Sequence, residues 1–93
     1  MGTSDKFDII LSKNAYKYLQ RLPQNIKKRI ANILEEELSQ NPFSSSKIKP
    51  LHGKLEGFCR YKEGDLRIIY KVEKEQLTVY IYEIGPRGDI YKK

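Results

Sequence analysis

Residues 58–72 read FCRYKEGDLRIIYKV, two runs of alternating apolar and polar side chains on either side of the triplet EGD. A period of two marks strands with one face on a core, and a short glycine-containing break between two such runs predicts an antiparallel hairpin. A turn at Glu63 and Gly64 would set Arg60 opposite Arg67. The rest of the chain is organised around this hairpin.

Downstream, the polar EKEQ separates it from a third strand over residues 77–84, LTVYIYEI, and a short segment over 89–91 closes the chain. A second turn over residues 73–76 would place Ile68 opposite Ile81 and Arg67 opposite Tyr82. One face of the meander then gathers Cys59, Tyr61, Leu66, Ile68, Tyr70, Val72, Leu77, Val79 and Ile81, an apolar set suited to packing on helices. The other gathers Phe58, Arg60, Lys62, Arg67, Ile69, Tyr80, Tyr82 and Ile84, with Arg87 just beyond the strand end.

Upstream, FDIILS over residues 7–12 reads as an opening strand, and Ser12 is placed to cap a helix. Ala15, Tyr18, Leu19 and Leu22 follow at helical spacing. Pro23 interrupts them and starts a second helix with the apolar stripe Ile26, Ile30, Ile33, Leu34 and Leu38. Its other face carries Lys27, Lys28, Arg29, Glu35 and Glu36, a solvated surface. Residues 41–53, NPFSSSKIKPLHG, are rich in turn formers and predict a connecting loop pinned by Phe43, Ile48 and Leu51. The expected class is α+β: one domain over residues 1–93, with a small antiparallel or mixed sheet of about four strands packed on two N-terminal helices.

Bulk properties narrow the function. A chain of 93 residues supports one hydrophobic core. No stretch approaches the roughly 18 apolar residues of a membrane span, and MGTSDKF lacks the apolar core of a secretory signal, so a cytoplasmic protein without a membrane partner is expected. The lone Cys59 supports neither a disulfide framework nor a metal cluster. A net charge of +6 and a pI near 9.4 favour polyanionic partners, nucleic acid first.

The arrangement of that charge admits two readings. Arginines facing each other across a strand pair repel, so they require either an anion between them or a compensating carboxylate such as Asp65. Aromatic rings among the arginines suit RNA, since rings stack on bases while guanidinium groups take phosphates. Tyrosine is also simply a good strand residue, and the pattern alone leaves the readings level. His52 lies in a PLHG turn without a nucleophile motif, the carboxylates have no metal-ligand spacing, and the glycines form no phosphate-binding signature.

LHGKLEGFCRYKEGDLRIIYKV followed by VYIYEIGPRGDIYKK resembles the RelE/ParE superfamily of toxin–antitoxin toxins, its RelE branch in particular, over nearly the whole chain. The resemblance implies a sheet backed by helices and cofactor-free, metal-independent cleavage of messenger RNA in the ribosomal A site. It also implies neutralisation by a cognate antitoxin. Carried over by motif, Arg67 matches the arginine on the scissile phosphate, Arg60 a basic residue on the preceding strand, and Arg87 and Tyr91 the closing arginine and tyrosine. Lys54, Lys62 and Tyr82 would contact substrate. The chain departs from the pattern at Pro86, where relatives often carry histidine, and at Phe58, near an expected lysine. The alternatives within the same scaffold are a ParE-like inhibitor of DNA gyrase and a non-catalytic RNA-binding relative.

Overall fold

The computed structural model describes residues 6–43 and 46–86. In chain order it has β1 (Asp8–Leu11), α1 (Lys13–Gln20), α2 (Gln24–Asn32) running into a π-helical turn (Ile33–Leu38), β2 (Ile48–Pro50), a 3-10 turn (Gly53–Leu55), β3 (Cys59–Glu63), β4 (Leu66–Glu73) and β5 (Thr78–Pro86). The sheet is mixed, in the order β1-β5-β4-β3-β2, with β1 parallel to β5 and the other pairs antiparallel. The α+β class and the two N-terminal helices agree with the sequence reading. Five strands are found among the described residues where about four were expected, because β2 lies within the segment read as a loop. Residues 89–91 lie outside the described residues.

Local chemistry accounts for the helix boundaries. The Ser12 hydroxyl accepts from Ala15 N at 3.1 Å, satisfying one of the first-turn donors, and donates to the Tyr82 carbonyl at 2.7 Å, which ties α1 to β5. Pro23 occupies the cap position of α2, where its missing N–H costs nothing. From the helices Ala15, Ile30, Ile33, Leu34 and Leu38, and from the sheet Tyr61, Ile68, Tyr70, Val79, Ile81 and Ile84, form one buried core. Each of the large aliphatic side chains contributes about 1.5–3 kcal/mol by leaving water. Cys59 packs half-buried against this core, and burial pushes its thiol pKa up.

The register differs from the one assumed. The first hairpin turns at Gly64 and Asp65, with Glu63 opposite Leu66 and Gly64 at φ +60°, the conformation a glycine-first two-residue turn requires. Arg67 therefore faces Lys62, and Arg60 faces Ile69. The shift is two residues, so every side chain of this hairpin keeps its expected face. In the second hairpin Arg67 faces Gly85 and Ile68 faces Ile84. Here a bulge intervenes: Ile69 pairs with Glu83 but Tyr70 with Ile81, leaving Tyr82 as an extra residue. The bulge reverses the alternation beyond it and turns Ile84, expected on the open face, into the core. Leu77, expected in the core, is exposed at φ +48° in the turn that precedes β5.

An ion-paired hub closes the far corner of the core. Glu63 accepts from Arg29 Nη2 at 2.9 Å, Lys47 Nζ at 3.0 Å and the Tyr61 hydroxyl at 2.9 Å, and that hydroxyl also lies 3.0 Å from Glu37 Oε1. Burial, reinforced by the two carboxylates, pushes the Tyr61 phenol pKa up. Lys47, then Arg29 and Tyr61, lower the Glu63 carboxyl from 4.5 to about 2. A depressed carboxyl stabilises the fold above its unfolded pKa and loses that contribution as pH falls through the folded one. Melting temperature is therefore expected to drop as pH falls from 4.5 towards 2, and Glu63→Gln should remove part of that slope. An unchanged slope in the variant would exclude Glu63 as its source.

Candidate active site

With helices covering one face of the sheet, the register puts Lys49, Arg60, Ile69 and Glu83 in one row across the other, from β2 to β5. The next row is Lys62, Arg67 and Gly85. On the other side Lys71 pairs with Tyr80, which pairs with Ile10. Alternation along the strands aims all of these side chains away from the helices. Positive charge thus concentrates on β2, β3 and β4 at the end nearer the Gly64 turn.

Arg67 is 8% exposed, a buried guanidinium in the middle strand, and its neighbour on β5, Gly85, contributes no side chain. Lys62 stands directly opposite it on β3. Asp65, the carboxylate the sequence offered as compensation, lies exposed in the turn and takes part in none of the ion pairs among the described residues. Arg60 Nε is buried and has no hydrogen-bond acceptor among the described residues. A buried donor of this kind calls for a partner, and a carboxylate or phosphate oxygen is the acceptor that guanidinium geometry fits.

Aromatic groups border the cations. The rings of Phe58 and Tyr82 lie 5.2 Å apart at 52°, with Lys71 Nζ 6.0 Å from the Phe58 ring. Tyr82 is 42% exposed because the bulge holds it out of the core, and Tyr80 beside it is 40% exposed. These rings offer stacking surface next to phosphate-binding groups, the combination that single-stranded nucleic acid uses.

The structure brings Arg60, Lys62, Arg67 and Tyr82 onto this one face. Lys54 is exposed in the 3-10 turn before β3 and belongs to neither row. Arg87 and Tyr91 lie outside the described residues. Lys49 joins the face and was not expected there; the alternation of Lys47, Ile48, Lys49 and Pro50 is the signal that would have shown it. No group of three potential metal ligands occurs among the described residues, and no helix among them is long and apolar enough to cross a membrane.

Residues 9–91 match the family described as the ParE toxin of type II toxin–antitoxin systems, parDE. The chain is 28% identical over 87 residues to the toxin RelG of Mycobacterium tuberculosis, spanning 94% of this chain and 98% of that protein. Among solved structures it is similar to the toxin–antitoxin complex RelBE2 of Mycobacterium tuberculosis, with a TM-score of 0.80 at 26% identity over 90% of this chain and 94% of the other. The archaeal RelE–RelB complex from Pyrococcus horikoshii OT3 gives a TM-score of 0.74 at 27% identity, over 90% of this chain and 98% of the other.

Proposed function

Because this chain belongs to the ParE toxin family of type II toxin–antitoxin systems, within the RelE/ParE superfamily, we propose that its toxicity is ribonucleolytic: cleavage of messenger RNA in the ribosomal A site. The observation that carries the reading is the row formed by Lys62 and buried Arg67, next to Arg60, whose buried Nε has no acceptor among the described residues. Such a face stabilises anionic charge on a phosphoryl group.

The chemistry requires no metal. The RNA's own 2′-hydroxyl attacks the adjacent phosphate, so the protein has to align the attack, take up a proton and stabilise charge on the phosphoryl oxygens. Arg67 and Arg60 serve the phosphoryl oxygens, Lys62 and Tyr82 hold the neighbouring backbone and base, and Lys54 contacts RNA from the 3-10 turn. Arg87 serves the leaving oxygen. Tyr91 or a lysine such as Lys62 takes the proton, and a tyrosine in that role needs surrounding cations to bring its pKa down from about 10. The working compartment is the cytoplasm, where ribosomes are. The partner is a cognate antitoxin, a reading supported by the complexes among the similar structures, and an acidic segment of it would be drawn to the same face.

The ParE name of the matching family keeps one competing reading in play, a ParE-like inhibition of DNA gyrase without cleavage. A translation extract supplied with purified protein separates the two. New messenger ends that appear only with ribosomes present are expected, and naked RNA should stay intact. Intact messenger together with blocked DNA supercoiling would replace the ribonuclease by the gyrase inhibitor; neither effect would leave a non-catalytic binding module.

A further inference from the structure

β1 accompanies β5 only as far as Ile81, so from Tyr82 to Pro86 no other strand lies on that side of β5 among the described residues. α1 stands off this edge instead. Between them is a cleft of about 280 Å³ lined by Asn14, Lys17, Tyr18, Arg21, Glu83 and Ile84. Because Glu83 shares the row of Arg60 and Ile69 while Ile84 belongs to the core, the cleft takes its lining from both faces of β5. Glu83 and Arg60 both pair with Ile69, so two strand spacings, about 10 Å, separate their backbones.

The lining has a mixed chemistry. Lys17 and Arg21 are exposed, about one helical turn apart, and make no ion pair among the described residues. Glu83 offers only acceptors. Tyr18 and Ile84 supply apolar wall. A bare phosphate or an acidic peptide would meet repulsion from Glu83. A nucleotide satisfies the whole set: its phosphate takes the two cations, an N–H-bearing base edge takes the carboxylate, and the base plane lies on the apolar wall. Guanine, with two adjacent donors on its pairing edge, suits a carboxylate best.

We propose that the cleft between α1 and the free edge of β5 is a second nucleotide site, holding a guanine-type nucleotide of single-stranded RNA beside the one cut at the Arg67 face. The inference deepens the ribonuclease reading and rests on it for the identity of the ligand.

The test is anisotropy titration of the purified protein with a labelled oligouridylate carrying a single guanosine, and with its all-uridine counterpart, over a range of salt. Wild type should prefer the guanosine oligomer. The Lys17→Gln/Arg21→Gln variant should bind on the order of tenfold more weakly, with a log–log salt slope smaller by about 0.7, as expected for one phosphate no longer neutralised on a single strand. Glu83→Gln should lose the guanosine preference and keep the salt slope. Wild-type affinity and slope in the double variant, or an intact preference in Glu83→Gln, would overturn the site. So would a double variant that binds RNA normally but loses affinity for the antitoxin. The readout is binding, so a protein that binds through the cleft yet leaves ribosomal messenger intact sinks the ribonuclease reading alone. Messenger cleavage with an unchanged KM in the double variant sinks the cleft alone.

Discussion

Replacing Arg67 by alanine is expected to lower single-turnover cleavage of ribosome-bound messenger by about 10²–10³-fold, the usual cost of deleting one preorganised group that stabilises transition-state charge. Three features make this residue the largest lever. It is buried to 8% exposure, so its charge acts through a medium that screens poorly. It faces Lys62 on one side and a glycine on the other, so the row concentrates positive charge where β5 contributes no side chain. Its position in the central strand fixes its backbone on both sides, which spares the reaction the cost of orienting it. Arg67→Lys keeps the charge and loses the planar fork, so it should recover only part of the rate. The melting temperature of Arg67→Ala should stay close to wild type, because the side chain lies on the face away from the core. Undiminished cleavage by Arg67→Ala would remove this face as the active site.

The sequence reading succeeded where a single local rule governs several residues at once. Alternation in residues 58–72 placed Arg60, Lys62 and Arg67 on one face and Tyr61, Ile68 and Tyr70 on the other, and a two-residue error in the turn left that division intact because a shift of two preserves parity. Helical spacing found the stripe of Ile30, Ile33, Leu34 and Leu38 for the same reason. The failures lie where one residue alters the rule. The extra residue Tyr82 breaks the alternation of β5, and its identity carries no sign of that, since tyrosine suits an ordinary strand equally well. β2 is three residues long with proline at its end, and it exists because β3 offers it a free edge, a fact of topology rather than of local preference. The cleft was illegible for the same cause: Lys17, Arg21 and Glu83 meet only because β1 ends at Leu11 while β5 runs on to Pro86.

Loss of toxicity can arise from lost chemistry or from lost fold, and Tyr70 provides the contrast with Arg67. Tyr70 is fully buried in β4 beside the bulge, and its hydroxyl donates to the Pro42 carbonyl at 2.7 Å, pinning the chain after the π-helical turn to the centre of the sheet. Burial pushes its phenol pKa up, so it remains a neutral donor at physiological pH. Truncation to alanine should cost about 3–5 kcal/mol, by analogy with other large aromatic-to-alanine changes in cores. Against the roughly 5–15 kcal/mol that holds a small domain together, that leaves a partly unfolded protein. Tyr70→Phe keeps the ring and abandons one buried acceptor, a loss of about 1–3 kcal/mol. At about 4–8 °C per kcal/mol for a domain of this size, its melting temperature should fall measurably while cleavage at a temperature well below the melt stays at the wild-type rate. Calorimetric or dichroism melts run beside the cleavage assay check both variants. Arg67→Ala should lose rate and keep its melt; Tyr70→Phe should do the reverse. If Tyr70→Phe instead lost rate with an unchanged melt, the hydroxyl would belong to the chemistry, and the division of the sheet into a catalytic face and a core face would fail.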